Sequence, residues 1–331
     1  MKKTMKLLIA CVMLCTMIVT SIFFVSCTKE EVKDEFKVGV CQLVQHAALD
    51  AATQGFKDAL KEEMENAGKK VTIDLQNANG DTPTCSTIIN KFVSGNYDLI
   101  MANATPALQT AASATLTIPI LGTSITEYGV ALNIANFNGT VGGNISGTSD
   151  LAPLTSQADM FAELLPEAKK IGILYCSAEA NSVYQANAVK SYLESKNAGY
   201  SVTIYTFSDS NYISAVLTRA CTESDAIYIP TDNTAAANTS TIDSVASEHN
   251  VPIIAGEEGI AVGCGIATLS ISYYNIGVKT GKMAAEILLG TSKISEMPIQ
   301  YDESPVYKYS AARCSKYGIT VPSNYTAFDA E

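Results

Sequence analysis

The sequence predicts an α/β chain built as two doubly wound parallel-sheet lobes. Three observations carry that expectation. From Phe36 onward, short apolar runs alternate with helix-period segments, the grammar of a parallel sheet flanked by helices. The same grammar is then repeated, in places residue for residue. Finally, 331 residues are too many for one ordinary core and fit two lobes of about 100 to 150 residues each.

Taken in order, Lys37-Val38-Gly39-Val40-Cys41-Gln42-Leu43 reads as the first strand. A helix follows from His46 to Ala67, with Leu49, Ala52, Phe56 and Leu60 on one face, and Gly68 ends it. Val71 to Leu75 is a second strand, followed by the structural turn Gln76-Asn77-Ala78-Asn79-Gly80-Asp81 and a helix from Pro83 to Ser94. In Tyr97 to Ala107 an acidic residue leads an apolar run that ends in Asn103-Ala104-Thr105-Pro106, the order of buried strand, polar turn and helix start. Such a turn presents free backbone N–H groups at a helix N-terminus and suits a small polar or anionic ligand. Ile118-Pro119-Ile120-Leu121 is a fourth strand. The glycine-rich segment from Thr140 to Asp150 lacks G-x-G-x-x-G spacing and leads into no helix, so it reads as a turn joining the lobes.

Residues 169 to 265 repeat the pattern. Setting Val38 on Ile171 places Phe56 on Val189 and Leu60 on Leu193 without a gap, and Asn66-Ala67-Gly68 returns as Asn197-Ala198-Gly199. Val71-Thr72-Ile73 echoes Val202-Thr203-Ile204, Asp98 echoes Asp225, and Ile118-Pro119-Ile120 echoes Val251-Pro252-Ile253. Tyr97 to Ala107 therefore has a partner in Ser224 to Ala235, and two polar turns suggest a site between two lobes. After the second copy, Gly265 to Tyr274 is strand-like and Ile276 to Leu289 a helix ended by Gly290. Pro298-Ile299-Gln300 starts a last strand, and Ala311 to Lys316 a short helix.

The formal net charge of −11 gives a surface that repels nucleic acid. Two histidines, His46 and His249, have no cysteine or carboxylate at ligand spacing, which argues against a metal site. Lys2, Lys3 and Lys6 precede an apolar run from Leu7 to Val25, the pattern of a secretory signal over residues 1 to 26. Phe24-Val25-Ser26-Cys27 resembles a bacterial lipobox, so Cys27 is expected to carry lipid and residues 27 to 35 to form a charged tether. An uncleaved anchor is the alternative, since the run is long enough to span a membrane. Six further cysteines are scattered without a C-x-x-C; buried hydrophobes are preferred over disulfides, and no pairing follows from spacing.

The chain resembles the solute-binding lipoproteins of ABC importers with the type I periplasmic-binding-protein fold, in the branch labelled as binding tryptophan or tyrosine. The resemblance rests on Gln42 with His46 to Ala52, Gln76 to Asp81, Asp98-Leu99-Ile100, Ala104-Thr105-Pro106-Ala107, Glu179-Ala180-Asn181-Ser182, Asp225 to Tyr228, Thr231-Asp232-Asn233-Thr234, and Tyr273-Tyr274 with Gly277 and Gly281. It departs from the branch at Tyr309 and at Glu257-Glu258, the latter a ligand wall. The resemblance implies two lobes joined by three crossovers: residues 36–152 with 272–298, and 153–271 with 299–331. It also implies a monomer held to the membrane by lipid, a membrane permease as partner, and an amino acid, aromatic in class, as ligand. No cofactor is implied.

Ligands of doubly wound folds meet the carboxyl ends of strands. The repeat names those ends in pairs: Gln42 to His46 opposite Ala178 to Ser182, Thr105 opposite Asp232, and Ser124 opposite Glu257. For an amino acid, Thr105 and Ser124 suit the carboxylate, and Asp232 and Glu257 the ammonium. Each has a plainer rival. Thr105 and Asp232 could instead cap helices, but a ligand contact is preferred for both, and Asn233 beside Asp232 offers the cap. Asn181 and Ser182 open a helix, and His46 either caps one or lines the cleft. Tyr273 and Tyr274 lie at the expected hinge, where one of them can stack on the ligand. The absence of tryptophan leaves Tyr, Phe or His as any aromatic platform and weighs against a sugar. A receptor's sensing module and a sugar or nucleoside binder remain as alternatives. An enzyme is disfavoured by the lack of a G-x-S-x-G elbow, P-loop or dinucleotide fingerprint.

Overall fold

The computed structural model describes residues 33–328 apart from Asn197 and Glu303. The expected secretory signal, Cys27 and the tether up to Val32 lie outside the described residues. Glu35, expected as the tether's last residue, is instead the first residue of a strand and of the compact folded unit.

The first copy runs β1 (Glu35–Gln42), α1 (Ala47–Asn66), β2 (Lys70–Asn77), α2 (Thr82–Ser94), β3 (Leu99–Asn103), α3 (Thr105–Ala114), β4 (Ile120–Ile125), the short α4 (Tyr128–Ala131) and β5 (Ile145–Ser149). The second runs α5 (Leu154–Leu164), β6 (Lys170–Cys176), α6 (Ala180–Ser195), β7 (Ser201–Phe207), α7 (Ile213–Glu223), β8 (Ala226–Ile229), α8 (Asn233–Ala236), α9 (Thr239–His249), β9 (Ile253–Ala255), α10 (Glu258–Cys264) and β10 (Ala267–Ser270). Then come α11 (Tyr273–Leu288), β11 (Gln300–Tyr301), β12 (Val306–Tyr309), α12 (Ala311–Lys316) and β13 (Thr326–Ala327).

These strands form two sheets in the orders β11-β5-β4-β3-β1-β2 and β13-β12-β10-β9-β8-β6-β7. The cores of the two copies therefore share the order 2-1-3-4-5, with a switch point between β1 and β3 and its counterpart between β6 and β8. Register supports the equivalence: Val38 stands opposite Leu99 as Ile171 stands opposite Ala226. The acidic residues that lead β3 and β8 share a task. The Asp98 carboxylate accepts from the Lys37 N–H at 2.7 Å, and Asp225 accepts from the N–H groups of Lys169 and Lys170 at 2.8 Å, which ties the lower ends of neighbouring strands. At β2 the expected echo is two residues out, because Val38 pairs with Ile73 whereas Ile171 pairs with Val202. A slip of two keeps every side chain on its face, so apolar pattern does not detect it.

Four further differences from expectation concern the crossings. The glycine-rich segment contains β5, buried and parallel to β4. A Cβ at Gly147 would lie 2.0 Å from the Gly122 carbonyl oxygen, so the glycines permit close strand approach rather than marking a loop. α11 starts at Tyr273 rather than Ile276, since the Ser272 hydroxyl accepts from the Asn275 N–H at 3.2 Å and caps it. β11 pairs in parallel with β5, so the first sheet extends past the expected boundary at 298/299. Finally, β12 runs antiparallel to β10, an addition outside the repeat. The chain thus passes between the sheets three times, after β5, after β10 and after β11.

Candidate ligand-binding cleft

In the first lobe, β1 ends at Gln42, a buried residue whose amide is fully occupied: it donates to the Val44 carbonyl (2.9 Å) and Asp50 (2.6 Å) and accepts from the Thr53 hydroxyl (2.7 Å). Asn103, at the end of β3, donates to that same Thr53 hydroxyl and to the Leu49 carbonyl, both at 2.9 Å. Gln42 therefore holds the start of α1 in place. His46 occupies the N-cap position of α1 without capping it. Its Nε2 instead lies 3.4 Å from the Asn233 Oδ1 of the other lobe, and its buried Nδ1 has no partner. Burial pushes the imidazole below its ordinary pKa and keeps it neutral near pH 7.

Two strained turns follow. Ala104, the N-cap of α3, is a buried non-glycine residue at φ +90°, and no side chain caps the helix, with Thr105 first and Pro106 second in it. Ser124 sits at φ +55° where the β4–β5 register slips, and its buried hydroxyl has no partner. Strain of this kind is kept where something useful depends on it.

At the first crossing stands Asp150, which the sequence reading passed over as the end of a glycine-rich turn. It is buried; Oδ2 accepts from the Tyr273 hydroxyl at 2.9 Å and Oδ1 has no partner. Burial pushes its carboxyl up to about 6, with Tyr273 and Thr126 pulling the other way. Tyr273 also lies close enough to Thr231 and Glu257 of the second lobe for both to act on its ionisation. Tyr274 does not share this setting: it is 43% exposed against 6% for Tyr273, and its hydroxyl donates to Asp58 on α1 at 3.2 Å. It rims a cavity of about 600 Å³ beside the crossings that also touches Ala47, Glu257 and Asp302.

The second lobe holds its polar residues in one network. Asp232, the N-cap of α8, accepts from the N–H groups of Ala235 (2.8 Å) and Cys176 (2.7 Å), with Ser182 beside it. Burial and the neighbouring Glu179 push its pKa up. Glu179 binds the same helix start, accepting from the Asn233 N–H (3.0 Å), the Asn233 amide (2.6 Å) and the N–H (2.9 Å) and hydroxyl (2.8 Å) of Thr234. Glu257 caps α10 by accepting from the N–H groups of Gly259 (2.6 Å) and Ile260, and burial pushes it up to about 7. The oxygens expected to face an ammonium, those of Asp232 and Glu257, are thus engaged within their own lobe. Asn181 is different: its amide donates to the Thr231 carbonyl at 2.9 Å, while its buried Oδ1 has no partner.

The structure therefore brings His46 to Asn233 across the cleft and gathers Asn181, Ser182, Asp232 and Asn233 in one cluster. It leaves Thr105 just past the end of β3 and Ser124 near the end of β4 in the first lobe, turns Gln42 inward and Tyr274 outward, and adds Asp150, Glu179 and Thr231. A cavity of about 240 Å³ at the cleft mouth touches Leu43, Pro106, Glu179 and Asn233, residues of both lobes. Among the described residues no group of three or more His, Cys, Asp or Glu side chains is placed to hold a metal ion, and no helix is long and apolar enough to cross a membrane.

Two lobes of shared topology, meeting at the carboxyl ends of their strands over unpartnered polar atoms, define a two-lobed small-molecule binding protein. The chain belongs to the family described as ABC transporter substrate binding protein, which it matches over residues 37–327. That family acts outside the cytoplasm and binds substrates rather than transforming them. A tyrosine-binding protein of Clostridioides difficile is 36% identical over 271 residues, 82% of this chain and 77% of that one. An ABC domain from Streptococcus pneumonia, solved in complex with L-Trp, is 33% identical with a TM-score of 0.82, covering 87% of this chain and 96% of that one. The ligand-free, open structure of a Clostridium difficile substrate-binding protein with adhesive properties is 34% identical with a TM-score of 0.67, covering 89% and 100%.

Proposed function

We propose that this chain is a lipid-anchored binding protein that captures a free amino acid of the aromatic class between its lobes and delivers it, as a monomer, to an ABC permease. The observation that carries the reading is the set of buried polar atoms left open around the cleft: His46 Nδ1, Ser124 Oγ, Asp150 Oδ1 and Asn181 Oδ1. Buried polar atoms without partners are costly, by about 1–3 kcal/mol each, and a polar ligand would satisfy them. The uncapped first turn of α3, with Thr105, and the Ser124 hydroxyl supply donors for a carboxylate. The ammonium is assigned to Asp150 and Asn181, each of which has an oxygen with no partner, rather than to Asp232 and Glu257, whose oxygens already hold helix N–H groups. His46, Ser182, Asn233 and Tyr273 complete the walls. The names of the relatives point to the aromatic class, and the lipobox-like Cys27 to the anchor. The lobes in this reading are residues 36–152 with 272–301, and 153–271 with the remainder.

Purified protein challenged with a panel of amino acids, sugars and nucleosides should gain thermal stability from tyrosine or tryptophan. A shift with sugars or nucleosides alone defeats the amino-acid reading. Asp150→Asn should weaken amino-acid binding by about tenfold or more in calorimetry. Replacing Cys27 with Ser should release the protein from the membrane fraction.

A further inference from the structure

Six cysteines are described, and all are unbridged and buried. Three of them donate to backbone carbonyls in their own surroundings: Cys176 to Ser208 at 3.6 Å, Cys264 to Ile260 at 3.2 Å, and Cys314 to Ile266 at 3.6 Å. Cys41 and Cys85 are set apart by their proximity, since the ionisation of each thiol feels the other. Both are fully buried in the same core cluster of the first lobe.

The juxtaposition follows from how α2 lies over β1. Gly39 sits directly under Phe92 of α2, where an added Cβ would come within 2.5 Å of the ring. Cys41 is two residues along on the same face of the strand, and Cys85 lies two turns nearer the start of the helix, so the pair stacks on the same line of contact. The turn between β2 and α2 is fastened to the end of β1 by hydrogen bonds from the Ala78 N–H to the Gln42 carbonyl (2.9 Å) and from the Gly80 N–H to the Leu43 carbonyl (2.8 Å). Asp81 then caps α2, accepting from the Thr84 N–H at 2.9 Å, and this fixes Cys85 in the first turn above Cys41. The Cys41 thiol beside it pulls Cys85 below its ordinary pKa, against burial and the Asp81 charge, which push it up.

We propose that Cys41 and Cys85 form an oxidisable pair that closes to an intramolecular disulfide when the protein folds outside the cytoplasm, pinning the ligand-bearing end of β1 to α2. The oxidant is a disulfide of the thiol-exchange class. The Cys85 thiolate attacks one sulfur of that disulfide and displaces a thiol, giving a mixed disulfide. The Cys41 sulfur then attacks the Cys85 sulfur and displaces the second thiol. Two electrons pass from the cysteine pair to the donor disulfide, whose sulfurs take up the two protons lost by the cysteines. Extracytoplasmic settings permit such a bond, and a crosslink of this loop length restricts the unfolded chain.

The test is refolding of the reduced full chain from urea in a buffer of reduced and oxidised glutathione, which exposes every thiol on the way to the native state. Free thiols are then alkylated, and the chain is digested without reductant. The expected result is a linked species joining the tryptic peptides Val38–Lys57 and Val71–Lys91, two hydrogens lighter than their sum. It should be accompanied by a Tm about 5 °C above that of the dithiothreitol-treated protein. Cys85→Ala should remove both the linkage and the difference in Tm. Recovery of Cys41 and Cys85 as alkylated thiols or as glutathione adducts, or linkage of either to another cysteine, overturns the proposal. The wild-type digest decides the matter even if the variant does not fold.

Discussion

Asp150 has one oxygen on the Tyr273 hydroxyl and the other on nothing, and its pKa, raised from 3.8 to about 6 by burial, makes it the residue through which pH should act on binding. Between those two values the folded, unliganded protein holds a proton that the unfolded chain has released. Unliganded stability should therefore fall as pH rises through that window, by about 3 kcal/mol in all. Binding runs the other way, because an ammonium favours the carboxylate. Below pH 6 the proton must leave on binding, so Kd should rise by up to about tenfold for each pH unit lowered. Calorimetry at pH 5 and pH 7.5 checks this, and an equal pH dependence in Asp150→Asn would remove Asp150 from the site. Asp232 makes the contrasting prediction. Its oxygens hold the Ala235 and Cys176 N–H groups, so Asp232→Ala should cost about 2–4 kcal/mol in urea unfolding. Its effect on affinity should be smaller than that of Asp150→Asn. A large loss of affinity at unchanged stability would return Asp232 to the ligand.

At the level of elements, α1 and α11 pack backbone against backbone beside the crossings. An added Cβ at Gly277 would lie 2.1 Å from the Ala52 carbonyl oxygen, and one at Gly55 would lie 2.2 Å from that of Tyr274. Backbone on both sides leaves nothing flexible to yield. Gly277→Ala should thus lower stability by about 1–3 kcal/mol, a loss larger than the roughly 1 kcal/mol of helix propensity it gains; a raised Tm would refute the close packing. Elements of this kind explain what was legible in sequence. Strand ends, helix starts and the two-fold repeat all leave periodic apolar patterns, so the order of strands and helices and their repetition are legible from residues alone. Ownership of hydrogen bonds leaves no such pattern. An acidic residue before a helix reads alike as a cap or a ligand contact: the sequence suits Asp232 and Glu257 to an ammonium, and in the structure their oxygens cap α8 and α10. Tyr273 and Tyr274, adjacent in a helix, point about 100° apart, and only burial tells which one meets Asp150. Asp150 itself was hidden because the glycines of β5 imitate a turn.

For the molecule as a whole, the lobes touch through His46 and Asn233, and the Tyr273–Asp150 bond joins the first crossing to the start of α11. In backbone shape the chain is nearer to a relative solved with L-Trp, at a TM-score of 0.82, than to one solved open and ligand-free, at 0.67, the two being 33% and 34% identical to it. A closed arrangement that leaves acceptors and donors open between its walls is costly without a ligand and favourable with one. The ligand's differential affinity for the closed form is then the whole driving force for closure. Rotation about three short crossings needs no repacking inside either lobe, since each keeps its own sheet, caps and buried network. Small-angle scattering should accordingly record a smaller radius of gyration when a saturating amino-acid ligand is added to unliganded protein. His46→Ala, which removes a contact across the cleft while leaving α1 uncapped as before, should shift the unliganded population further open and weaken affinity by the same factor that it costs closure. If scattering is unchanged by ligand while calorimetry records binding, the lobes close without it, and the open polar atoms must be satisfied by water rather than by the solute.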